Sequence, residues 1–352
     1  MTNPGSGSPR MSVSAYGTPA TDGGVISLVK DGTASITLGS LIAGGFGVEA
    51  AKSIMAGESA GRVAFFVAFG VGLVLVAVGF GWRSRRRRRT RVGVVVVAAD
   101  TPGLARQREQ QAETFSGQEC ALTLTVSMDL PDDPVRRREL MSELVAETQQ
   151  AISTAERLTP DAARINLIPI MRLQMAFWFG ARLGYTHPRE VAVYSLRQGT
   201  GSPAFFHATN LRAVRSRKQP LTVAALETVP GADPARVALA LDLQNRGQGF
   251  HDQVLQDCRA RGVGTLLLLR NPRETLPENT SAFTAVVDQV CRVWRKANLP
   301  AGARSSGHTI YLSGPVSIAV ALGARLAAAD QSCWTALSYD TATGNYMPFP
   351  EP

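Results

Sequence analysis

Three short stretches set cationic and hydrogen-bonding side chains where an apolar run gives way to a helical pattern. They are Pro169, Met171 and Arg172 at the end of INLIPI, Gln244, Asn245 and Arg246 after residues 237–243, and Ser313, Gly314 and Pro315 at the end of TIYLS. A helix start points unpaired backbone N–H groups outward, and an arginine beside it adds a charged donor, so loops of this composition suit a phosphate or another anion. Turns favour the same residue types, and each stretch taken alone also reads as a turn.

Other chemistry has little support. The sequence holds no G-x-x-x-x-G-K-[ST] loop, and no G-x-G-x-x-G follows a strand pattern, so neither ATP nor a dinucleotide is indicated. His187, His207, His251 and His308 stand singly, without the spacing of a zinc site. Asp129, Asp132 and Asp133 sit around prolines at a helix start, where carboxylates favour the helix dipole without any metal. Glu139, Glu143 and Glu147, at spacing four among arginines, read as a solvated helix face. Cys120, Cys258, Cys291 and Cys333 are scattered and fit buried thiols in a reducing compartment. No catalytic residue, metal or cofactor is expected.

The elements that must position the loops are short β-branched runs alternating with longer helical stretches, the pattern of βα units and a largely parallel sheet. Residues 91–99 (RVGVVVVAA), 120–130, 165–170, 191–196 and 309–313 read as strands, and 135–158 and 171–183 as helices. The tetrapeptide Gly-Ala-Arg-Leu closes the helix after INLIPI at residues 180–183 and the helix after TIYLS at 323–326. A strand tyrosine follows each copy, Tyr194 and Tyr339, then Pro203 and Phe205 or Pro348 and Phe349. Residues 123–130 (TLTVSMDL) also resemble 235–243 (ARVALALDL). A tandem duplication is expected, with halves of about 92–215 and 216–352. Rossmann-like halves offer a crevice beyond the carboxyl ends of their strands, where both sets of loops converge.

Upstream, residues 63–82 run twenty positions without a charge, enough for a bilayer-spanning helix of about 30 Å. Seven arginines follow between 83 and 91, and without them the net charge of +9 falls to +2, so the basic excess is local. Such a block reads either as a nucleic-acid arm or as a cytosolic membrane flank, and its place directly after the apolar run favours the flank. Residues 36–55 form a second candidate span, weakened by Glu49 and Lys52. The expected layout is a disordered tail over 1–33, a membrane region over 34–82, a basic linker over 83–91 and a cytosolic α/β unit over 92–352.

The closing stretch, TLLLLRNPRE, GHTIYLSGPVSIAVALGARL and LSYDTATGNYMPF, resembles the second half of a SAVED domain. Ala319, Leu322, Gly323, Tyr339, Asp340, Gly344, Tyr346 and Pro348 stand at the places of that family's A-x-x-L-G helix and aromatic, acidic, glycine and proline positions. The resemblance implies two fused CARF-like halves that bind a cyclic oligonucleotide, here a di- or trinucleotide, in bacterial anti-phage defence of the CBASS type. It implies that the three loops hold the ligand, with Asn245 or Ser313 placed to read a base edge. It further implies an effector of the transmembrane class, held in the inner (plasma) membrane with its sensor in the cytoplasm. Ligand-driven homo-oligomers would then act on the lipid bilayer without catalysing a reaction. The alternative from another class is a membrane-bound Rossmann-like enzyme, such as a cyclic-oligonucleotide phosphodiesterase; a structural or adaptor protein is a third reading.

Overall fold

The computed structural model describes residues 10–15, 67, 69–78, 91–99, 102–160, 162–198, 203–328 and 333–351. The chain forms two units, one of Met1–Ala15 with Arg91–Pro352 and one of Tyr16–Thr90.

In the first unit, one half comprises β1 (Arg10–Ala15), β2 (Arg91–Ala99), α1 (Pro102–Glu119), β3 (Leu122–Asp129) and α2 (Pro134–Leu158). It continues through β4 (Arg164–Ile170), α3 (Leu173–Leu183), β5 (Glu190–Leu196) and β6 (Phe205–Asn210). The other half repeats the series as β7 (Thr222–Thr228), β8 (Asp233–Asp242), α4 (Gln248–Arg261), β9 (Val263–Arg270) and α5 (Thr280–Lys296). It ends with β10 (His308–Ser313), α6 (Val316–Leu322, continued by a π-helix over Gly323–Ala327), β11 (Trp334–Asp340) and β12 (Asn345–Phe349).

The two sheets run β1-β3-β2-β4-β5-β6 and β7-β9-β8-β10-β11-β12. In each, the four inner strands are parallel and both outer strands antiparallel. Strand β2 shows why: Val92, Val94, Val95, Val96 and Val97 are all buried, as a strand covered on both faces requires. Helix α5 buries Phe283, Val286, Val287, Val290, Cys291 and Trp294 along one stripe.

The sheets enclose α3 and α6, which pack against each other; α3 also touches β10 to β12 and α6 touches β4 to β6. At their crossing each helix presents the glycine of the repeated tetrapeptide. A Cβ on Gly180 would lie 2.0 Å from the Val320 carbonyl oxygen, and one on Gly323 would lie 1.8 Å from that of Phe177. Val320 stands three residues before Gly323, and Phe177 three before Gly180, so the contact has twofold pseudosymmetry. The repeat that reveals the duplication in the sequence is thus the point where the halves interlock.

Several expectations need correction. The tail assigned to 1–33 contains β1, an edge strand of the first sheet paired with β3. Residues 102–119, to which the sequence reading assigns no helix, form α1. The proposed match of 123–130 with 235–243 is out of phase: topology pairs β3 with β9 and β2 with β8. Phe205 opens β6 whereas Phe349 closes β12, so their similar placement after the strand tyrosines is not structural equivalence. Of the membrane region, residues 67 and 69–78 are helical. Among the described residues no helix is long and apolar enough to cross a membrane. The rest of 63–82, all of 36–55 and most of the basic linker lie outside the described residues. The acidic residues behave structurally: Asp133 caps α2 by accepting from the Arg136 amide at 2.7 Å, and Glu139 pairs with Arg136 at 2.9 Å on an exposed face.

Candidate functional site

The carboxyl ends of the inner strands from both sheets open onto one cleft. It contains two adjoining cavities of about 430 and 1230 Å³ that share Arg108, Ile170, Met171, Gln244 and Val316 in their walls. Strand ends supply the floor, including Ala98 and Ala99 from β2, Ser195 and Leu196 from β5, and Ser338 and Tyr339 from β11.

The three loops singled out in the sequence meet here. Met171 and Gln244 line both cavities, Arg172, Arg246 and Ser313 the smaller one, and Pro169, Gly314 and Pro315 the larger one. Asn245 lines neither; it takes a left-handed conformation (φ 52°) and serves the turn. Gly314 is also explained locally, because its φ of 153° and the Leu243 side chain, 2.8 Å from where a Cβ would sit, both exclude a larger residue.

The loop after β8 is built around a buried carboxylate. Asp242 accepts from the backbone amides of Arg246 and Gly247, each at 2.9 Å, and stands 3.5 Å from Nε of Arg270. Arg270 in turn donates to the Gly247 carbonyl at 3.0 Å. The hydroxyl of Ser313 donates to Oε1 of Gln244 at 3.0 Å, tying the end of β10 to the same loop. With its backbone fixed in this way, Arg246 lays its guanidinium over the Tyr339 ring, 5.2 Å from the centroid.

Electrostatics across the cleft are divided. Helix α3 begins at Arg172 and α4 at Gly247 without a side-chain cap, whereas Asp133 and Asn279 cap α2 and α5. Exposed Arg108, Arg172 and Arg246 add positive charge. Of the acidic wall residues, Glu274 is exposed at the larger cavity, whereas Glu278 pairs with Arg197 at 3.2 Å and accepts from the Gln198 amide at 2.7 Å. Oδ1 of Asp340 accepts from the Ala342 amide at 2.9 Å.

Beneath the larger cavity, the Tyr194 hydroxyl accepts from Arg164 at 2.7 Å and its ring stacks on His207. Burial pushes the Tyr194 phenol up, against the pull of the Arg164 charge. Burial also pushes the thiols of Cys120, Cys258 and Cys291 up to about 11, which keeps them protonated and unreactive at neutral pH.

Sequence reasoning missed Arg108, because α1 was not recognised as a helix, and the stacking partner Tyr339, which it placed as a strand tyrosine and a family position but not among the ligand-holding residues. Arg108 lies six residues past the start of α1, beyond the strand-end positions that drew attention to the other loops.

No family model matches the chain, and no curated protein sequence matches it. Solved structures do. The Acinetobacter baumannii Cap4 SAVED/CARF-domain containing receptor with the cyclic trinucleotide 2'3'3'-cAAA matches over 82% of this chain and 58% of its own, at 12% identity and a TM-score of 0.44. The Moraxella osloensis Cap4 SAVED/CARF-domain containing receptor matches over 92% of this chain and 77% of its own, at 10% identity and a TM-score of 0.38. The chain thus spans 58% of the length of the first of these structures.

Proposed function

We propose that the chain is a SAVED-like receptor for a cyclic di- or trinucleotide, and that the occupied receptor acts on a lipid bilayer without catalysing a reaction. The observation that carries the first part is the cleft itself. Two pseudosymmetric sets of strand ends face one opening, where Arg108, Arg172, Arg246 and the uncapped start of α3 offer charge and backbone donors to phosphates. Tyr339, held under Arg246, supplies a flat apolar surface of the kind on which a base stacks. The larger cavity alone exceeds the roughly 300–1,000 Å³ of ordinary small-ligand pockets, which favours a ligand of several nucleotide units over a mononucleotide.

The bilayer part rests on the helical run 69–78, an apolar segment whose Val71, Leu73, Val74 and Val78 are all at least half exposed. A helix that is apolar all round belongs in a core or in lipid. The seven arginines that follow favour lipid, with the receptor on the cytoplasmic side of an inner membrane. Ligand-driven assembly of the receptor would concentrate these segments and perturb the membrane, as an anti-phage effector of this type requires.

The test is co-expression of the full chain with an active cyclic-oligonucleotide synthase, reading membrane potential and growth. Depolarisation that disappears with Arg246→Ala is expected. An intact potential despite demonstrated ligand binding would remove the membrane output and favour the phosphodiesterase reading.

A further inference from the structure

The two halves share one element series and one pairing pattern, so each connection in one has a counterpart in the other. Strand β7 ends at Thr228 and β8 begins at Asp233, leaving Val229, Pro230, Gly231 and Ala232 as their connection. The corresponding connection, from β1 to β2, contains all of Tyr16–Thr90. We propose that residues 16–90 are an insertion into the first strand connection of the receptor unit, which therefore begins at β1 and not after the arginines. We further propose that the insertion enters the bilayer as a pair of spans; this second part rests on the membrane reading above.

Register fixes where the insertion leaves and returns. Ala15 pairs with Leu122, and Leu122 pairs on its other side with Val92. The two ends are therefore two strand spacings apart, about 10 Å. Both lie at the amino-terminal end of β2 and β3, opposite the end that opens onto the cleft. A chain that departs and returns at one edge of one sheet has both ends on one side of any membrane, so its number of crossings is even. The candidates at 36–55 and 63–82 supply two, with the polar residues 56–62 between them at the far face. The weaker candidate, with Glu49 and Lys52, thereby gains a structural reason to span.

The experiment uses full-length protein in cells, with two independent readouts. Ser12→Cys with Thr125→Cys places cysteines at paired positions of β1 and β3, and Arg10→Cys with Ser127→Cys does so at a second pair, where Ser127 is less buried than Thr125. Oxidation should crosslink either pair, while Ser12→Cys with Asp129→Cys, about 13 Å out of register, should not crosslink. Failure of both in-register pairs in protein that still binds ligand would overturn the insertion. Separately, reporters at the two termini should lie on the same side of the membrane and one placed at residue 58 on the other. Termini on opposite sides would also overturn the insertion. A residue-58 reporter on the same side as both termini would overturn the pair of spans and the membrane reading, while the crosslinks decide the insertion on their own.

Discussion

Gly180 and Gly323 carry a close backbone contact between the halves, and a single methyl at either reaches a backbone carbonyl that cannot swing away. Gly323→Ala should cost about 1–3 kcal/mol, as overpacking of a well-packed core does, and Gly180→Ala should behave alike by pseudosymmetry. The denaturation midpoint of each variant checks this, and a wild-type midpoint would contradict the crossing. In the cleft, Arg246→Ala or Arg172→Ala should weaken ligand binding about tenfold to hundredfold, the effect of losing a charged hydrogen bond worth ~1.5–3 kcal/mol. Tyr339 separates a stacking role from a hydrogen-bonding one. Tyr339→Phe should retain affinity and Tyr339→Ala should lose it, whereas equal losses would point to the hydroxyl.

At the scale of elements, legibility followed the strength of the apolar pattern. Strand β2 is nearly all valine, and α5 carries a clean stripe, so such segments declare themselves. Among its described residues helix α1 buries only Ala112, Phe115 and Ser116 within a long polar run, too few apolar positions to set a period. Strand β1 lies at a sheet edge within a Gly- and Ser-rich stretch, where short-range composition reads as tail. The three loops were legible because strand ends that open helices are local features. Asn245 was not separable, since the left-handed turn that turns it out of the cleft depends on the Asp242 carboxylate capturing the next two amides.

Two histidines in strand and loop positions make stability depend on pH. Burial lowers His187 and His207 below their ordinary 6.5, against partial support from the Leu183 backbone and then Glu156 for His187 and from Asn210 for His207. The unfolded chain then takes up protons first as pH falls through 6.5, so their contribution is complete above that value and is lost below it. Glu109, raised chiefly by burial and then by Glu113, acts in the opposite sense at lower pH, losing its contribution as pH rises past 4.5. The melting temperature should therefore fall between pH 7.5 and 5.5, and His187→Gln with His207→Gln should flatten that slope. An unchanged slope in the double variant would reject the assignment.

For the whole molecule, the duplicated halves, the interlocked glycines and the shared cleft form one arrangement, a twofold-related cleft, and the proposed reading assigns to it a ligand with repeated phosphates. The most direct test is a thermal and calorimetric titration of the full chain with a panel of cyclic di- and trinucleotides, since a ligand that binds only the folded state stabilises it by mass action. One member should raise the melting temperature, by about 2.7 kcal/mol of stabilisation at a hundredfold excess over Kd, and Arg246→Ala should shift the titration about tenfold or more. A panel in which no cyclic nucleotide shifts the transition or releases heat would contradict the receptor assignment.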